Sequence, residues 1–313
     1  MQRLRQERGA VSVVLALLMV PLIGFGALAV DVSAIYVEQQ RLQNGADAAA
    51  LAIAQDCALG NCRVPADTAA TLALANHTGS LAGDAQQTVT TAAREVTVAN
   101  RSVQEHWLAP VLGFDSSHVD AQATAGWNPL DAARSALPLA FSLCEFRLQA
   151  GGGLPSGTAE RVIKLSKDAN TSCTGPSDNV VPGGFGWVKT DADGSCAATS
   201  RVGLILASDT GNVVPGACKA QAYLQSLVGT TVLLPIFTEF GGTGNNAWYR
   251  VYSYAAFHVT GFFFSNKYSA NPGACGKDQC VRGYFTRFVT LSEPTGNVVG
   301  APDLGARIVN LTR

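Results

Sequence analysis

Lysine is scarce in this sequence of 313 residues, and charged residues of both signs make up only 14% of it. That fraction is low for a soluble cytosolic protein. The sequence also lacks a basic excess, since 22 Lys and Arg stand against 23 Asp and Glu. The general electrostatic case for nucleic-acid binding is thereby removed. Cys-x-x-Cys is absent, and His77, His106, His118 and His258 are dispersed, so no zinc-ligand or triad spacing can be named. There is no Gly-x-Ser-x-Gly elbow; Gly153-Leu154-Pro155-Ser156-Gly157 has the wrong spacing and reads as a turn. The segment Gly273 to Asp278 lacks the first glycine and the terminal Ser or Thr of a phosphate loop. Asp191 and Asp193 read as solvated turn residues, with a weak calcium contact the lesser alternative. The expectation is a protein with no catalytic residue, cofactor, metal site or small-molecule substrate.

One long apolar run is present. Ala10 to Val30 holds 21 residues without a charge. At about 1.5 Å per residue this covers roughly the 30 Å core of a bilayer. Arg3, Arg5 and Arg8 precede it and Asp31 closes it. The positive-inside rule then puts the N-terminus in the cytoplasm and everything after Asp31 outside. Ala27-Leu28-Ala29 offers a rival signal-peptidase site, but the run exceeds the usual h-region and the helical pattern continues past it. Retention as a single-pass anchor is the expectation.

After Asp31 no proline occurs until Pro65. Val32, Ile35, Leu42, Ala46, Ala49 and Ile53 form a helical stripe, with Gln39 at its missing position. The far end of the stripe is rich in small residues, which would let a partner helix approach closely. An ordinary amphipathic helix on its own domain fits the same pattern equally well.

Three blocks in this region carry a family resemblance. They are Arg8-Gly9-Ala10-Val11, Ala29-Val30-Asp31-Val32 and the run from Leu42 through Asn44-Gly45-Ala46-Asp47-Ala48-Ala49-Ala50-Leu51-Ala52. With the span between them, they resemble the N-terminal module of the Tad (tight adherence) pilus-assembly family, TadE/TadG-like. Ala109 to Ser116, followed by Val119 to Trp127, also looks like this group. The resemblance implies a minor pilin-like or assembly component whose partners are the cytoplasmic membrane and other pilus-system subunits. Two features depart from related patterns. The fifth residue after Gly9 is Val14, where processed pilin precursors carry glutamate. Asp31-Val32-Ser33-Ala34-Ile35 lacks the last serine of an Asp-x-Ser-x-Ser metal motif, so no metal site is carried over.

Farther on, Ala66 to Asn76 reads as a second helix stopped at His77-Thr78-Gly79. Arg94 to Ala99 and Val119 to Ala125 alternate as strands, joined by a short helical stretch near Glu105 to Leu112. From Pro138, glycine-rich loops separate runs of β-branched and aromatic residues, with one helix near Lys219 to Val228. The expected class is α+β: a long N-terminal transmembrane/stalk helix, a small α+β unit, then a mostly β region. The expected segments are a cytoplasmic N-terminus at 1–9, the transmembrane helix at 10–30, stalk and small unit at 31–136, and an extracytoplasmic β-rich domain at 137–313.

All eight cysteines follow the anchor, and an even number on the export side favours disulfides. Cys57 with Cys62, and Cys275 with Cys280, could each close a short loop. Pairing among Cys144, Cys173, Cys196 and Cys218 stays open. The functional alternatives are a tethered adhesion or binding module and, behind it, a cell-wall enzyme with its site in the β-rich region.

Overall fold

The computed structural model describes residues 7–62, 64–76, 86–209, 213–243, 246–291 and 300–312. Arg3, Arg5 and the His77-Thr78-Gly79 helix stop lie outside the described residues. The chain is α+β and divides into two compact units. The first takes the chain to Cys57, then Cys62–Gly126 and the C-terminal residues from Leu311; the second takes Ala58–Asn61 and Trp127–Asn310.

The first unit is built on helix α1, Glu7–Leu59, of 53 residues. It passes through Pro21 as one continuous element. Helix α2, Pro65–Asn76, opens on proline, where the missing N–H costs nothing, and carries Asp67 in its first turn. Three antiparallel strands follow: β1 (Gln86–Ala92), β2 (Glu95–Glu105) and β3 (Ser116–Pro129). In the β2–β3 ladder Val96 lies opposite Ala125, Val98 opposite Ala123, Asn100 opposite Ala121 and Ser102 opposite Val119. These eight residues are buried while the positions between them are more exposed, the alternation a pleated strand imposes when one face is covered.

The second unit is mostly β. Its main sheet runs in the order Arg161–Lys164, Cys280–Thr286, Trp248–Ser265, Thr231–Gly241, Leu139–Ser142 and Phe185–Trp187. Every pair along it is antiparallel except Thr231–Gly241 with Leu139–Ser142. The expected helix near Lys219 is present as Gln221–Ser226. The helix Leu143–Ala150 starts where Ser142 Oγ accepts the Cys144 amide and stops at Gly151, which takes the left-handed conformation. Phe141, Phe146, Phe185, Trp187, Phe257 and Phe285 fill the core with mostly edge-to-face ring contacts. Phe262 and Phe264 point into the same core, with ring centroids 5.0 Å apart. Ala58 and Leu59 belong to this unit, and their carbonyls accept from Arg307 Nη1 at 2.6 Å and Arg287 Nη1 at 2.8 Å. Both are carbonyls that a helix end leaves without an internal partner.

Candidate functional site

α1 changes character at Asp31. From Val11 to Val30 the side chains face outward, Ala27 alone being half-covered. Apart from the adjoining residues and backbone of the helix itself, no described atom lies within 4 Å of where a side chain on Gly24 or Gly26 would begin. The helix is long and apolar enough to cross a membrane. Its exposed part is a continuous apolar cylinder that the described residues leave uncovered.

Asp31 is where cover begins. Its carboxylate is only 4% exposed. Trp107 N–H donates to Oδ1 at 2.8 Å, Ala109 N–H donates to Oδ2 at 2.7 Å, and the Leu108 amide is shared between the two oxygens. Burial by itself would raise this carboxyl's pKa. The three backbone donors, together with His106 nearby, outweigh burial and hold it below the ordinary value of 3.8. These donors belong to the β2–β3 connection and run into a short 3-10 turn, Ala109–Leu112. His106 closes the base of the connection: its amide donates to Asp115 O, and its ring lies 3.1 Å from Phe114 O and 2.9 Å from Ser117 Oγ.

Beyond Asp31, α1 meets the inner face of β2 and β3. Ser102 Oγ donates to Glu38 Oε1 at 2.8 Å, Asn100 Nδ2 to Leu42 O at 3.1 Å, and Gln43 Nε2 to Gln122 O at 3.2 Å. Leu42 packs with Val119 and Ala121, and half-buried Ile35 joins them. Ala46, Ala49 and Ile53 continue the buried face. The expected stripe differs at two turns. Val32 is 62% exposed, and the covered residue there is Asp31; Gln39 is exposed, and the covered residue there is Glu38. The reason is hydrogen bonding, because the β2–β3 connection presents amides to Asp31 and β2 presents the Ser102 hydroxyl to Glu38, and these donors need acceptors.

Residues 9–56, the helix just described, match the Tad family model, described as "Putative Flp pilus-assembly TadE/G-like". The N-terminal module is TadE/G-like. No curated protein and no solved structure matches the chain. The matched residues of this TadE/G-like module include Asp31, Glu38 and the buried small-residue face, but neither the Trp107 connection nor the second unit.

Most of the other residues singled out in the sequence have partners of their own. Four disulfides join Cys57 to Cys62, Cys144 to Cys173, Cys196 to Cys218 and Cys275 to Cys280. Asp191 and Asp193 both pair with the half-exposed Arg134, at 3.1 and 2.5 Å, so the two carboxylates share one guanidinium. Asp191 would be raised by burial, but donors from Thr199 and Arg134 lower it; Asp193 is lowered chiefly by Ser195. His258 stacks on Tyr284 with its Nδ1 at 3.2 Å from Thr231 Oγ1, while His118 is exposed. Among the described residues, no three His, Cys, Asp or Glu side chains gather as a metal site.

Proposed function

We propose that this chain is a non-catalytic component of Tad-type (Flp) pilus assembly, minor pilin-like or assembly-forming. In this reading residues 10–30 anchor it once in the cytoplasmic membrane, the N-terminus is inside, and both units lie outside. The observation that carries the reading is the division of α1 into an uncovered apolar half and a half committed to its own unit at Asp31. The TadE/G-like match falls on the same residues and supports the pilus assignment.

Burial also decides which surface is left for other subunits. Ala46, Ala49 and Ile53 are covered within the chain and are not open to a partner helix. The span is open, and Gly24 and Gly26 let another helix approach closely inside a bilayer.

The test is photo-crosslinking in cells that make pili, with the reactive residue placed at Leu17 or Leu22 and, as a control, at buried Ala49. The expected result is adducts to pilus-system subunits from the span positions and none from Ala49. Absence of any such adduct from the span, with the protein present in the membrane, overturns the pilus reading.

A further inference from the structure

We propose that the β2–β3 connection, Trp107–Phe114, is a second membrane contact that rests in the outer headgroup region beside the exit of α1. The proposal rests on the membrane reading of the span. Residues 107–114 read Trp-Leu-Ala-Pro-Val-Leu-Gly-Phe and carry no charge. Trp107 is 79% exposed, Val111 89%, Phe114 66% and Leu108 44%. Four large apolar side chains thus face outward within eight consecutive residues.

This exposure belongs to an ordered turn. The amides of Trp107, Leu108 and Ala109 go to Asp31, Val111 N–H to Leu108 O, Gly113 N–H to Pro110 O, and Phe114 N–H to Ala109 O. Gly113 takes the left-handed conformation, φ 86°, that closes the turn. Backbone polar groups satisfied from within are what a lipid environment demands, because it supplies no partner for them.

Position selects lipid as the occupant. The connection is held against Asp31, the first residue after the uncharged run, so it stands at the level where the helix leaves the bilayer. Trp belongs at that level, with its ring partly apolar and its N–H able to reach water. The flanking polar groups, Glu105, His106 and Asp115, all sit at the base of the connection. A helix anchored at one point is free to tilt; a second contact beside it would fix how the first unit stands on the membrane.

The experiment reconstitutes the full chain in phosphatidylethanolamine–phosphatidylglycerol vesicles, with and without lipids brominated near the headgroup end of the acyl chains. The chain has four tryptophans, so wild type minus Trp107→Phe isolates the emission of Trp107. We expect both forms to float with the vesicles, and the Trp107 signal to be blue-shifted and largely lost to bromine. Val111→Asp is expected to weaken that quenching. Floating chains whose Trp107 signal stays unquenched and water-like would overturn the proposal while leaving the anchor intact. Failure of the chain to float at all would instead overturn the membrane reading and the proposal with it.

Discussion

Asp31 Oδ2 accepts the Ala109 amide at 2.7 Å, joining two residues 78 positions apart where the apolar run ends. Neighbouring amides of Trp107 and Leu108 converge on the same carboxylate. One side chain therefore orders the whole start of the β2–β3 connection. In Asp31→Ala all three donors lose their acceptor, and in Asp31→Asn one acceptor oxygen is replaced by a competing donor. Both variants should expose the 106–115 segment to proteolysis and speed hydrogen exchange at residues 107–109, Ala more than Asn. The folded-state pKa lies below 3.8, so the stabilisation is fully present above that pH and is lost as pH falls through the lowered value. Exchange at these amides, corrected for intrinsic rates, should show no Asp31-linked change between about pH 5 and 8. A pH-dependent opening in that range would show that another group controls the connection.

The buried face of α1 leads to a second expectation. Leu42 and Ala49 sit where the chain covers its own helix. Leu42→Ala should cost about 2–5 kcal/mol, and Ala49→Leu about 1–3 kcal/mol through overpacking. Thermal unfolding of the reconstituted chain measures both. Span substitutions such as Leu22→Ala should leave that transition within about 0.5 kcal/mol. Unchanged unfolding in the Leu42 and Ala49 variants would mean that this face is free for a partner after all.

Much of this architecture is legible in the sequence because the relevant signals are periodic and apolar. Val119, Ala121, Ala123 and Ala125 alternate because a pleated strand with one covered face must alternate, and β3 follows. The uncharged span and the later texture of β-branched and aromatic runs are equally direct. Glu38 is not legible, since hydrophobic periodicity cannot see a carboxylate buried to accept a hydroxyl. Asp31 carried a signal, closing the apolar run, but nothing in the sequence names Trp107 and Ala109 as its partners. The β1–β2 hairpin escapes for a different reason. Its turn places Arg94 at φ 66°, without the Asn or Gly that usually marks such a turn, and β1 is largely polar. The Cys144–Cys173 and Cys196–Cys218 pairs depend on long-range folding that spacing alone does not encode.

Tyr254 in the second unit provides a stability readout at alkaline pH. Burial raises its phenol to about 12, against 10.0 when unperturbed, while the Ser200 hydroxyl lies 2.7 Å from its oxygen. The neutral phenol therefore stabilises the fold fully below pH 10, and this contribution drains away as pH rises toward 12. The amount at stake is roughly 2–3 kcal/mol. Tyr254→Phe should lose about 1 kcal/mol at neutral pH through the missing hydrogen bond. Its deficit should shrink or reverse between about pH 10 and 11.5, because phenylalanine has no proton to lose. Melting temperatures of both proteins across that range decide the matter; a constant gap would show that Tyr254 does not control the alkaline transition.

The disulfides offer a test of the proposed orientation. Cys144–Cys173 encloses a separation of 29 residues and Cys196–Cys218 one of 22. Closing loops of this size restricts the unfolded chain by about 3–4 kcal/mol each in the entropy model. Such bonds persist on the export side and are rare in the cytosol. Paired Cys144→Ala and Cys173→Ala substitutions should lower the unfolding free energy of the second unit by about 2–4 kcal/mol. Making the intact chain in an oxidation-deficient strain should reproduce that loss and add a second one from Cys196–Cys218. Thiol labelling before lysis supplies the decisive reading in cells. Cysteines blocked to a maleimide until reductant is added place the units outside, whereas free thiols at all eight positions would put them in the cytosol and reverse the orientation drawn from Arg8 and Asp31.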